Sequence, residues 1–186
     1  NLETHGGSLD HIDVRRSYHR AEEALRWNEG EFDLILGCLP QVPATQVPDA
    51  EQIAHVYPIK DYPQLSEWVF GLLHAVLEAA QVSLNQQGRV SLVVSGRVPW
   101  TAVIDLFGRT GFKTPKIVHR FMVRHHSGTP LGYLFGQKDH LLFEDRRGKR
   151  AISPEEAEEA RLTFLLRKSD ILKVFHWVHI LEARPR

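Results

Sequence analysis

The chain has 186 residues, 42% of them apolar and 25% charged, the mixture of one ordinary globular domain with room for a real core. Lysine plus arginine equals aspartate plus glutamate at 23 each, which removes the charge argument for a nucleic-acid or anionic-membrane partner. Apolar runs are too short to span a bilayer, and the single cysteine, Cys38, excludes an intrachain disulfide and fits a reducing, cytoplasmic setting.

Residues 11–16 place Ile12 and Val14 at period two, a short strand. Residues 18–27 set Ala21, Ala24 and Leu25 against Glu22, Glu23 and Arg26, a helix. A polar turn over 28–31 leads into residues 32–37. There Phe32, Leu34, Ile35 and Leu36 form an apolar run bounded by Gly37 and Pro40, which reads as a buried parallel strand. Pro40, Pro43, Pro48, Pro58 and Pro63 then make 40–63 a long irregular loop, a length usually tied to function or mobility.

The clearest helix runs over 65–86. Trp68, Val69, Leu72, Leu73, Val76, Leu77, Ala80 and Leu84 recur at helical spacing, and Gln87-Gly88 reads as its stop. Residues 89–94 form a buried strand ending at Ser95-Gly96-Arg97, and 99–108 a helix with Val103, Ile104, Leu106 and Phe107 apolar. Thr110-Gly111-Phe112 turns the chain into a strand over 116–123. The stretch 124–150 is basic and contains histidines, with 131–135 and 141–143 as candidate edge strands. Ser153-Pro154-Glu155-Glu156 opens a helix: the serine caps it, proline suits the first turn, and the acids complement the dipole. A last strand spans 171–181, before the charged tail 182–186. No repeat and no domain boundary is visible, so 1–186 reads as one domain.

This alternation is that of an α/β, doubly wound layer, where ligands bind beyond the carboxyl ends of the strands. It resembles the later half of the class I S-adenosylmethionine-dependent methyltransferases. In that family a strand commonly ends in an Asn-Pro-Pro-Tyr-type turn beside the transferable methyl, and a late Gly-Phe leads into a terminal antiparallel hairpin. Here Cys38-Leu39-Pro40-Gln41 departs from that turn at its first, second and fourth positions. A nearer likeness is to the methyltransferase domain of the methionine S-methyltransferase family. Its Gly-Cys-Ile-Pro-Gln turn is matched by Gly37-Cys38-Leu39-Pro40-Gln41. Its Gly-Gly-Arg-Pro-like stretch is resembled by Ser95-Gly96-Arg97-Val98-Pro99. Its Leu-Phe-Glu-Arg-Arg-Gly-Phe helix end is similar to residues 106–112, and the likeness covers roughly residues 11–123.

The resemblance implies a Rossmann-like sheet, mostly parallel with an antiparallel terminal hairpin and incomplete on its N-terminal side. It implies S-adenosylmethionine as cofactor and a small substrate, with a methionine-like thioether as first choice. Cys38, Leu39, Pro40 and Gln41 would face the substrate, and Gly37 and Cys38 the cofactor. Methyl transfer needs the nucleophile in line and about 3 Å from the methyl carbon. A thioether carries no proton at neutral pH, so no general base is required and no catalytic residue is assigned. Backbone carbonyls of the proline-fixed turn would grip donor hydrogens on an amine substrate, and Gln41 would hydrogen-bond a carboxylate or amide.

The family's Gly-rich loop and ribose-holding acid are not visible in the sequence. Gly6-Gly7 is too isolated to serve, and the position of the acid near adenine aligns with Tyr18 or His19. The expectation is therefore a C-terminal portion of a longer methyltransferase, one that alone binds S-adenosylmethionine weakly or not at all. The alternative is a non-catalytic binding or scaffold domain that keeps the fold without the cofactor site. Amide or amine methylation is a third reading, opposed by the missing Asn at position 38.

Other residues have plainer readings. Cys38 reads as a small core residue with no local positive charge to activate it. His125 and His126 are adjacent and point to opposite faces of a strand. His176 and His179 sit in a strand-like run, and no cysteine pair supports zinc. Arg146-Arg147-Gly148-Lys149-Arg150 reads as a solvated turn. Trp68 and Phe70 read as core residues at the start of the long helix.

Overall fold

The computed structural model describes residues 30, 32–39, 70–124, 143–144, 151–167 and 174–186. In chain order these form β1 (Phe32–Cys38), α1 (Gly71–Ser83), β2 (Leu84–Ser95), α2 (Trp100–Arg109) and β3 (Lys116–Arg124). Two-residue strands β4 (Phe143–Glu144) and β5 (Ala151–Ile152), helix α3 (Pro154–Arg167) and strand β6 (Phe175–Ala183) follow. The expected elements over 11–16, 18–27, 40–63 and 131–135, the first residues of the 65–86 helix, and the Arg146–Arg150 cluster lie outside the described residues.

The long strands build one open, mixed α/β sheet in the order β1-β2-β6-β3. β1 pairs parallel to β2, with Ile35 opposite Val90 and Cys38 opposite Val93. β6 runs antiparallel between β2 and β3, with Val94 opposite His179 on one side and Arg120 opposite His179 on the other. β1, β2 and β3 point the same way and β6 runs antiparallel to both of its long neighbours, so the sheet is mixed, and β3–β6 is the antiparallel terminal pair of the expectation. The 32–36 and 90–94 segments are neighbours as expected, whereas 116–123 is one strand further out. The crossover through α2 leaves a one-strand gap beside β2, and β6 fills it, satisfying the backbone groups of both flanking strands.

Register decides which face is buried. Ile35, Val90, Leu92, Val94, Leu181 and Ala183 share one face. They pack with Leu73, Val76, Leu77 and Ala80 of α1 and with Val103, Leu106 and Phe107 of α2. Both helices therefore cover the same side. The other side carries Leu34, Leu36 and Phe121, and Leu36 is 71% exposed. This corrects the reading of 32–37 as a buried strand: β1 has β2 as its neighbour on one edge, and its alternate residues face away from the helices.

The helix expected over 65–86 ends at Ser83, and residues 84–86 belong to β2. Leu84 reaches the core from extended backbone and pairs with Phe32. Gly88 lies within β2 instead of stopping a helix. A Cβ there would come within 2.9 Å of both the Leu84 side chain and the Phe32 carbonyl, close to a register shift between Phe32 and Leu34.

Two local signals work as read. α2 ends in a Schellman turn: Phe112 N–H donates to the Phe107 carbonyl at 2.8 Å and Gly111 N–H to the Gly108 carbonyl at 3.4 Å. Gly111 takes φ of 80°, and the buried Phe112 ring meets Phe107 edge-on. The C-terminal tail then clips this turn, with Lys113 N–H donating to the Arg184 carbonyl and Arg186 N–H to the Gly111 carbonyl. At α3, Ser153 Oγ accepts from Glu156 N–H at 3.2 Å while Glu156 accepts from Ser153 N–H at 2.9 Å, a complete capping box.

Candidate functional site

The carboxyl ends of β1 and β2 lie side by side, which brings Gly37-Cys38-Leu39 next to Ser95-Gly96-Arg97. A Cβ at Gly37 would stand 2.6 Å from the Cδ2 tip of the buried Leu92, so a side chain there requires Leu92 to shift within the core. Cys38 and Leu39 alternate in direction. Leu39 packs against the core on the helix side, while Cys38 is exposed, which corrects its reading as a core residue. Both lie at the strand end, Leu39 on the core side and Cys38 exposed. Pro40 and Gln41 lie outside the described residues.

Ser95 and Arg97 form a compact turn after β2. Ser95 Oγ accepts from Arg97 N–H at 3.3 Å and from Arg97 Nε at 2.9 Å, which ties the start of the arginine side chain to the strand end. Gly96 N–H donates to the Trp177 carbonyl at 2.7 Å and extends the β2–β6 ladder by one residue. A Cβ at Gly96 would meet Trp177 Cβ and the Trp177 carbonyl oxygen, each at 2.8 Å, and His179 Nε2 at 3.0 Å. The second glycine at this edge is thus required by the close approach of β6.

Across β6 the same edge presents side chains that the sequence reading did not join. Trp177 and His179 are two residues apart and share the helix-bearing face. Trp100, the first residue of α2, meets His179 edge-on at 6.5 Å between ring centroids. Arg120 of β3 stands opposite His179, and its Cζ lies 4.9 Å from the centroid of the Trp177 ring. Burial, and secondarily the Arg120 charge, hold the His179 pKa below its ordinary value, so the imidazole is neutral at pH 7. His176 lies on the opposite face of β6, three residues away, so the two histidines do not converge. His125 and His126 are outside the described residues, and among the described residues no group of three or more His, Cys, Asp or Glu side chains could hold a metal ion.

Arg89 faces Glu182 at 3.6 Å, Arg109 faces Asp105 at 2.8 Å and Arg161 faces Glu158 at 2.6 Å. Asp33 accepts a hydrogen bond from Asn85 at the amino end of β1. Glu182 lies opposite Lys116 at the amino end of β3 and opposite Ser91 within β2, four residues before its carboxyl end. Neither strand carboxylate reaches the carboxyl edge. No helix among the described residues is long and apolar enough to cross a membrane. No protein-family model matches the chain, and no curated protein matches it in sequence.

Proposed function

We propose that this chain forms the later part of a Rossmann-like, S-adenosylmethionine-dependent methyl-transfer domain within a longer protein, acting on a small acceptor for which a methionine-like thioether is the first choice. The observation that carries the reading is the terminal antiparallel β3–β6 pair. It is entered through Gly111-Phe112 and set beside two aligned strands whose carboxyl ends carry Gly37-Cys38-Leu39 and Ser95-Gly96-Arg97. That order of elements and that turn are what the family resemblance calls for.

The described residues do not make a complete cradle for the cofactor. No Gly-rich loop stands at the carboxyl edge among them, and Asp33 and Glu182 lie away from that edge. The donor must then be held by residues outside the described ones or by another chain, and this fold portion contributes acceptor positioning. A thioether needs orientation and a dry surface rather than a base. Gly37 and Leu39 supply a close-packed, apolar strand end of that kind.

A scaffold without methyl transfer is the second reading, favoured by the same missing cradle. The deciding experiment incubates the native gene product with methyl-labelled S-adenosylmethionine and methionine, or a panel of small thioethers and amines. Label in S-methylmethionine or another small product supports the enzyme. A cooperatively folded protein that transfers no label supports the scaffold.

A further inference from the structure

We propose that the outer edge of β3 receives an extended acidic peptide of a partner protein, which adds a strand to the sheet. The proposal goes beyond methyl transfer and does not require it. β3 is nine residues long, and among the described strands it pairs with β6 alone. In an antiparallel ladder alternate residues turn both backbone groups toward one neighbour, so the remaining residues of β3 aim theirs outward. Such an edge is a template for a further strand. Exposure agrees along its length. Residues 116–121 are all exposed, with Ile117 at 44%, Val118 at 51% and Phe121 at 40%.

Sheet edges are ordinarily guarded by bulges and by charge. The bulge here falls at Val118, where the register against β6 slips between Ile117 and His119, and it leaves 119–124 in unbroken register. The charge is of one sign. No aspartate or glutamate occurs between Asp105 and Asp139, whereas Arg109, Lys113, Lys116, Arg120, Arg124 and Lys138 all fall there, in a chain of zero net charge. A second copy of β3 is thereby disfavoured. An antiparallel self-pair centred on Arg120 sets Lys116 opposite Arg124, and a parallel one sets each cation beside its twin. An acidic strand meets the same charges with the opposite sign.

Register states which residues the incoming strand needs. Arg120, Met122 and Arg124 stand opposite His179, Trp177 and Phe175 on the helix-bearing face. His119, Phe121 and Val123 lie on the other face, where the His119 and Phe121 rings are 6.0 Å apart. A strand laid beside them puts alternate residues next to two guanidinium groups and the intervening ones next to an aromatic and aliphatic row. Alternating carboxylate and aliphatic side chains suit both, and backbone hydrogen bonds supply the remaining affinity.

The test titrates the full chain into a short fluorescein-labelled peptide of alternating glutamate and valine, read by anisotropy. One control alternates lysine and valine. The other is the glutamate–valine peptide N-methylated throughout, which keeps the charge but cannot donate to a strand. The first peptide should bind, and each control at least about tenfold more weakly. Binding should also slow amide hydrogen exchange over 119–124, which side-chain ion pairing alone would not do. Arg120→Gln combined with Arg124→Gln should weaken binding by about fivefold or more, and the double lysine variant should recover most of it. Thermal melts establish that each variant is folded, and the three peptides decide on the parent chain if one is not. Equal binding of the three peptides, no binding of the glutamate–valine peptide, or binding without protection of 119–124 would overturn the proposal. So would a dimer of the chain alone joined through β3, which would assign the edge to a second copy.

Discussion

Replacing Gly96 with alanine tests the packing on which the carboxyl-edge site depends. The added Cβ would sit 2.8 Å from Trp177 Cβ, 2.8 Å from the Trp177 carbonyl oxygen and 3.0 Å from His179 Nε2. Two of those atoms belong to backbone or to a Cβ, so a rotamer change cannot relieve the clash. β6 must move away, which stretches the 2.7 Å bond from Gly96 N–H to the Trp177 carbonyl. Overpacking of this kind costs about 1–3 kcal/mol, offset by about 0.4–1 kcal/mol from the stiffer unfolded chain. The net is a loss of about 1–2 kcal/mol, equivalent for a chain of this size to a melting temperature roughly 2–8 °C lower. Gly108→Ala is the internal control. It lies within α2, its Cβ meets only Arg186 Nη2 at 3.4 Å, and it should raise stability by about 0.5–1 kcal/mol. Thermal melts of both variants, with tryptophan emission as a second readout for the first, give the comparison. If Gly96→Ala melts at or above the parent and its tryptophan emission is unchanged, β6 does not approach β2 as closely as described.

Three further outcomes follow from the geometry. Phe112→Ala removes a fully buried ring from the Phe107 contact and should cost about 3–5 kcal/mol in denaturant unfolding, where a loss under about 1 kcal/mol would contradict its place in the core. His179 should titrate below the ordinary histidine value of 6.5 in an NMR pH series, because burial and Arg120 disfavour its charged form. The unfolded chain then takes up the proton first as pH falls below 6.5, so stability drops from that point down to the folded value and is unaffected above it; His179→Gln should flatten that part of the curve, and a midpoint at or above 6.5 would refute the argument. The 186-residue chain should bind S-adenosylmethionine weakly or not at all, since the family's Gly-rich loop and acid, which the sequence pattern does not show, would each supply hydrogen bonds worth about 0.5–1.5 kcal/mol, and micromolar binding in a titration calorimeter would refute this.

Local chemistry was readable from the chain, and non-local neighbours were not. Ser153-Pro154-Glu155-Glu156 and Thr110-Gly111-Phe112 announce a helix start and a helix end because the atoms that satisfy the backbone lie within a few residues. β2 and α2 follow from periodicity for the same reason. The apolar run of β1 gives no sign that Leu34 and Leu36 are exposed, because exposure there depends on which strands and helices arrive from elsewhere. Nor does any local feature of residues 175–183 state that this strand will insert between β2 and β3.

The candidate site was missed for a related reason. Arg120, Trp177 and Trp100 come from three separate elements, and only the β6 ladder brings them together. One signal was nevertheless present within β6. Phe175, Trp177, His179, Leu181 and Ala183 alternate onto one face, large and polar-edged at the start, plain and apolar at the end. Leu181 and Ala183 are buried under the helices, while Phe175, Trp177 and His179 remain half-covered. A strand whose inward residues change in this way is leaving a sealed core for an open edge. Because β6 runs antiparallel to β2, its amino end must leave the core where β2 ends at its carboxyl edge. The aromatic and polar residues of a C-terminal strand therefore fall at the edge where α/β sheets bind ligands, which is why Trp177 and His179 stand beside Gly96 rather than beneath the helices.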